Sequence, residues 1–305
     1  MRPPLGWTLA AAAIGLAACG AATGGGAAAS APAGSAVNFQ ASGLEHLAQG
    51  HYEGWVISGN QKLSFGTFNV DTAGRPVSLS GGAIKGFRTK ARVSSADAFA
   101  VTVEPDGKSG DQPSPSVILL GKTTGGKADL SFQAIEVSSL AGGYILAAPT
   151  GAAGTPQTAG VWFLDLKAGK PVAGLRLPAA PAGWKYEGWI VFSGQPLSTG
   201  RFSKPDGADE SARYSSTQNP APPFPGEDFL QNLPAGLTPP LNLAQGSTKV
   251  VLTIEPDVNG SDPTGDGPFF LKPLSATIAA GAKDHTFFNL TLSTAGLPTG
   301  SASLG

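Results

Sequence analysis

From residue 37 onward the chain runs in short apolar stretches separated by clusters of Gly, Pro, Asn, Asp and Ser. Runs of that length, rich in β-branched and aromatic residues and bounded by turn formers, predict strands. The pattern places strands at 37–40, 51–57, 65–70, 98–104, 117–120 and 128–135. A hairpin follows, from 144–149 and 161–166, with a loose Gly/Ala/Thr/Pro tip. A second series falls at 186–192, 199–202, 249–255, 269–271 and 285–292. Alternation along 51–57 puts Glu53, Trp55 and Ile57 on one face and Tyr52, Gly54 and Val56 on the other. A glycine between Tyr52 and Trp55 predicts that another group packs close against the strand there.

The two series are copies. Residues 51–69 and 185–203 align without gaps and share nine of nineteen positions, where chance gives about one. Both contain Tyr-Glu-Gly-Trp, as Tyr52, Glu53, Gly54 and Trp55 and as Tyr186, Glu187, Gly188 and Trp189. A second block recurs as 101–106 and 252–257, with Glu104 matching Glu255. Strand 37–40 is expected to match 161–164. Trp55 to Glu104 spans 49 residues and Trp189 to Glu255 spans 66, so copy two carries 17 more. The extra residues center on 219–229, where the many prolines predict a stiff loop with neither sheet nor helix. The expected fold is all-β, two related antiparallel β-sandwich-like repeats over 37–143 and 185–305, with a hairpin and linker at 144–184.

The N-terminus speaks of location. Arg2 precedes an apolar run over 5–16, too short to span a bilayer, and Leu16-Ala17-Ala18-Cys19 closes it. This is the form of a lipoprotein signal peptide over 1–18, cut before a Cys19 that receives the lipid. Cys19 is the sole cysteine, which excludes disulfides and fits an anchor. Residues 19–36 are almost all Gly, Ala, Ser and Pro and read as a disordered tether about 20–25 Å from end to end. The expected setting is the cell envelope, extracytoplasmic, held to a membrane through lipidated Cys19.

Composition narrows the partners. Only 13% of residues are charged and the net charge is −1, which argues against a nucleic-acid partner. Glu53, Glu104, Glu187 and Glu255 could be paired as the carboxylates of a glycosidase. Their identical placement in both copies instead predicts backbone N–H acceptors or cross-strand partners. Asp257, Asn259, Asp262 and Asp266 approach the oxygen spacing of a calcium loop, but the closing glutamate is absent and these are also turn residues. His46, His51 and His285 have no zinc spacing. The expectation is a non-enzyme with no cofactor. Trp162 and Trp184 are candidates for a sugar-stacking surface, whereas Trp55 and Trp189 belong in the core.

The motifs also carry a resemblance. Tyr-Glu-Gly-Trp, then Gly-x-Phe (Gly66 to Phe68, Gly200 to Phe202), then the Glu-Pro strand is similar to the extracytoplasmic domain of anti-sigma-K-type factors. Copy two keeps that family's following loop as Gly260-Ser261-Asp262-Pro263-Thr264-Gly265, while copy one departs from it over 109–114. The resemblance covers roughly 44–120 and 178–274. It implies a β-rich domain outside the cytoplasmic membrane. In that family a membrane helix joins this domain to a cytoplasmic helical region that holds the sigma factor. Neither part is legible in this sequence, so sigma binding is not expected to carry over. The expected role is sensing or docking to an envelope protein, the alternative a carbohydrate- or cell-wall-binding lipoprotein.

Overall fold

The repeated Tyr-Glu-Gly-Trp strands are the spine of the architecture. The structure, a computed structural model, describes residues 34–107 and 111–305. The expected signal peptide, Cys19 and all but residues 34–36 of the expected tether lie outside the described residues. Apart from two 3-10 turns, the described elements are all strands, and their pairings are antiparallel.

In copy one, His51–Ser58 lies between Gln61–Val70 and Ala98–Glu104. Beyond Ala98–Glu104 come Val117–Lys122 and Lys127–Ser131. The next strand is Thr299–Leu304, from the C-terminus of the chain, and it in turn pairs with Ala36–Ser42. This nine-stranded sheet curls until its ends face each other. Phe39 from Ala36–Ser42 packs on Phe65 and Phe68 of Gln61–Val70, with Phe87 edge-on to all three at 5.4–5.5 Å. A sheet folded onto itself this way buries one face as a sandwich does.

Copy two repeats the center: Trp184–Phe192 lies between Gln195–Phe202 and Lys249–Pro256, followed by Leu274–Thr277. A second sheet is built from Ala141–Leu146, Gly160–Trp162 and Gly226–Asp228. The expected hairpin is present, with Val161 opposite Leu146 and Trp162 opposite Ile145. One buried cluster includes Phe39 and Val101 of copy one, Tyr144 and Phe163 of the hairpin, and Ile190 and Leu252 of copy two. At the join, Trp184 packs edge-on against Phe132 at 5.1 Å, and the Ser116 hydroxyl donates to the Gly183 carbonyl at 2.8 Å.

Several expectations need correction. Gly160–Trp162 is no counterpart of Ala36–Ser42: it pairs with the hairpin and with the insertion, not with the repeat's own sheet. The insertion is not loop throughout, because Gly226–Asp228 adds a strand to Gly160–Trp162. Residues 269–271, with Phe269 and Leu271 buried, are not a strand; Pro268 and Pro273 flank them, and the ladder resumes at Leu274–Thr277. The stretch 167–184 is not simply extended, since Lys170–Ala173 pairs back on Leu164–Lys167.

Candidate functional site

The conserved geometry of the two copies starts at a bulge. In each, the register shifts after the motif glycine, between Gly54 and Trp55 and between Gly188 and Trp189. On one face the glycine admits an aromatic ring. A β-carbon at Gly54 would overlap Phe65, and one at Gly188 would overlap Phe163. Copy two has Thr199 where copy one has Phe65, and the hairpin supplies the missing ring.

On the other face each tryptophan donates to a threonine of the Glu-Pro strand: Trp55 Nε1 to Thr102 Oγ1 and Trp189 Nε1 to Thr253 Oγ1, both 2.9 Å. Glu104 Oε1 accepts the Ser114 N–H at 2.7 Å and Glu255 Oε1 accepts the Phe269 N–H at 3.0 Å. These glutamates therefore hold the segment that leads into the returning strand, Val117–Lys122 in copy one and Leu274–Thr277 in copy two.

In copy two the same face becomes acidic. Carboxylate oxygens of Glu187, Glu255 and Asp262 lie within 4.8 Å of one another. Burial pushes Glu187 up to about 7, and the nearby Asp262 and Asp266 charges add to this. Burial also raises Glu255 well above the usual carboxylate range and raises Asp262. Glu187 accepts from the Ser198 hydroxyl. A cleft of about 440 Å³ reaches Glu187 and is lined also by Trp189, Arg201, Arg213, Tyr214 and Asp266.

The four residues of the calcium-loop spacing separate. Asp257 is ion-paired with Arg201 at 2.9 Å. Asn259 and Gly260, at φ of 55° and 83°, are the center of a tight turn in which Val258 and Ser261 exchange backbone hydrogen bonds. Asp262 joins the glutamates, with its Oδ1 accepting from the Thr264 N–H and hydroxyl, both at 2.7 Å. Asp266 is exposed at the cleft. His46, His51 and His285 belong to different segments of the fold. All four described tryptophans, Trp162 and Trp184 included, are at most 3% exposed, so they offer no stacking surface.

Three further acids of copy two, the partly buried Asp209 and the buried Glu227 and Asp228, were not singled out from the sequence. Asp209 accepts from the Gly226 N–H at 2.8 Å, and burial raises it to about 8. Glu227 accepts from the Ser215 hydroxyl and the Tyr214 N–H and is raised by burial to about 7. Asp228 accepts from Trp162 Nε1 at 2.7 Å and from the Thr150 N–H and hydroxyl at 2.8 and 2.5 Å. The only sequence signal for Glu227 and Asp228 was acidic residues within an aromatic, proline-rich stretch.

Residues 3–117 match the family model described as anti-sigma-K factor rskA, C-terminal. The match takes in the first Tyr-Glu-Gly-Trp and Glu-Pro strands and ends at Val117, the start of the next strand, so copy two lies beyond it. No curated protein and no solved structure matches the chain. Among the described residues no helix is long and apolar enough to cross a membrane.

Proposed function

Since copy one matches the C-terminal domain of anti-sigma-K factors, a membrane-associated family, we propose that this chain is a lipid-anchored envelope protein whose paired repeats serve as a sensing or protein-docking module. The family match to the first repeat carries the reading. In support, copy two keeps the motif, bulge and tryptophan–threonine bond of copy one. Anchoring rests on Leu16-Ala17-Ala18-Cys19. On this reading neither β repeat holds a sigma factor, since in that family a separate helical region does so. The same reading gives the repeats no catalytic role. Glu104 and Glu255, the best-placed repeated acids, both serve to fix backbone. The carbohydrate-binding alternative loses its main support with the burial of Trp162 and Trp184.

The exposed part of the insertion, Pro220, Ala221 and Pro223, is the surface that the additional residues of copy two present. Deleting all of 219–229 would remove the buried Gly226–Asp228 strand, so a surface change is the better probe. In-cell crosslinking of a tagged protein, followed by mass spectrometry of the membrane fraction, should recover one dominant envelope protein. Ala221→Arg with Pro223→Glu should lose it. Recovery of wall glycan, or of no envelope protein, would reject the docking role.

A further inference from the structure

We propose that Glu187, Glu255 and Asp262 form a binding site for a hard divalent cation, with Ca²⁺ the ion that its all-carboxylate ligand set suits. The inference does not depend on the docking role. Three carboxylates share one small space, and none forms an ion pair among the described residues. Of the neighboring cations, Arg201 bonds Asp257 and the Pro256 carbonyl and reaches Glu187 and Asp262 only through its field, and Lys185 pairs with Glu210.

A second observation points to a ligand. Glu255 is fully buried, and while its Oε1 takes the Phe269 N–H, its Oε2 has no hydrogen-bond partner. A buried carboxylate oxygen without a donor, set among other carboxylates, is costly unless a cation or a proton completes it.

The two copies make an internal contrast. Glu104 has the Thr102 hydroxyl and the Ser114 N–H, and Glu255 likewise has Thr253 and the Phe269 N–H, but among the described residues it is Glu255 that two further carboxylates join. In copy two the stretch from Glu255 to the N–H that it accepts is 14 residues, against 10 in copy one. Asp111 stands as far from Glu104 as Asp262 does from Glu255, but Asp111 is exposed whereas Asp262 reaches the two glutamates. Ca²⁺ takes six to eight oxygens, so three carboxylates supply much of the set, and the cleft at Glu187 gives an entry path.

A bound ion would tie three segments together: Trp184–Phe192, Lys249–Pro256 and the loop through Asp262. That loop touches copy one. Neither Gly50, beside the Pro263 carbonyl, nor Gly265, beside the Gln49 side chain, has room for a β-carbon. Occupancy should therefore stiffen the contact between the copies.

The test is calorimetric titration of the EDTA-treated full chain with CaCl₂, alongside thermal unfolding with and without the ion. The expected result is saturable one-site binding, in the range of about 0.1–1 mM seen for extracellular modules, with a rise in Tm. Asp262→Asn, which can still accept from Thr264, should fold with an unchanged or higher metal-free Tm and bind more than tenfold more weakly. Glu255→Gln should behave likewise. Absence of binding by the unmodified chain would overturn the site and leave protons to neutralize the cluster. Undiminished binding by folded Asp262→Asn would also overturn it.

Discussion

The motif glycine shows how one missing methyl group organizes each repeat. Gly54 lets the Phe65 ring lie on the strand, and Gly188 does the same for Phe163. Gly54→Ala should therefore destabilize the protein by about 1–3 kcal/mol, the usual cost of overpacking, measured as a lower urea midpoint at constant m-value. Asp228 depends on Trp162 in the same local manner. Trp162→Phe leaves a buried carboxylate short of one donor and should cost about 1–3 kcal/mol in the same assay. The close approach at Gly54 and the core position of Trp55 were legible from the sequence, because strand alternation places them. The donors to Asp228 were not: Thr150 and Trp162 are 78 and 66 residues away in sequence, and only the fold makes them neighbors.

Burial around Asp209 and Glu227 also sets a pH dependence. Asp209 and Glu227 bind protons more tightly in the folded chain, with values near 8 and 7 against about 4 when unfolded. Their contribution to stability is present below pH 4 and is lost as pH rises through 7 to 8. The urea midpoint should fall between pH 5 and pH 8 on this account. Asp209→Asn, which fixes the neutral form, should flatten that fall; an unchanged slope would show that Asp209 is ionized throughout.

Among the elements, the C-terminal strand Thr299–Leu304 was hidden in the sequence while the Tyr-Glu-Gly-Trp strands were plain. Thr-Gly-Ser-Ala-Ser-Leu has no aromatic residue and no run of β-branched ones. Its strand character comes from the two edges that it joins, Ala36–Ser42 and Lys127–Ser131. The same physics explains Gly226–Asp228, whose acidic sequence is made tolerable by its hydrogen-bond donors, and the false likeness of 161–164 to 37–40. Apolar content predicts burial, but the partner edge decides pairing. Truncation after Leu297 should open the copy-one sheet between those two strands. Hydrogen exchange should then show lost protection in Ala36–Ser42 and Lys127–Ser131, with the His51–Ser58 ladder affected less. Unchanged protection at both edges would contradict the pairing.

At the scale of the whole molecule, the repeats are stitched together twice. The C-terminal strand returns to copy one, and the hairpin between the copies supplies Phe163 to copy two. A shared buried cluster runs through both. Urea unfolding followed by tryptophan fluorescence and by far-UV circular dichroism should accordingly give one coincident transition; two separated transitions would mean that the repeats fold alone. The central claim is that this body is displayed on the outer side of a membrane through Cys19. The most direct measurement is the mass and N-terminal sequence of the protein extracted from membranes of its native cell. The expected product is a chain that begins at Cys19 and carries acyl groups, with Cys19→Ala released from the membrane fraction. A chain that keeps Met1 without lipid and is recovered from the cytoplasm would contradict it.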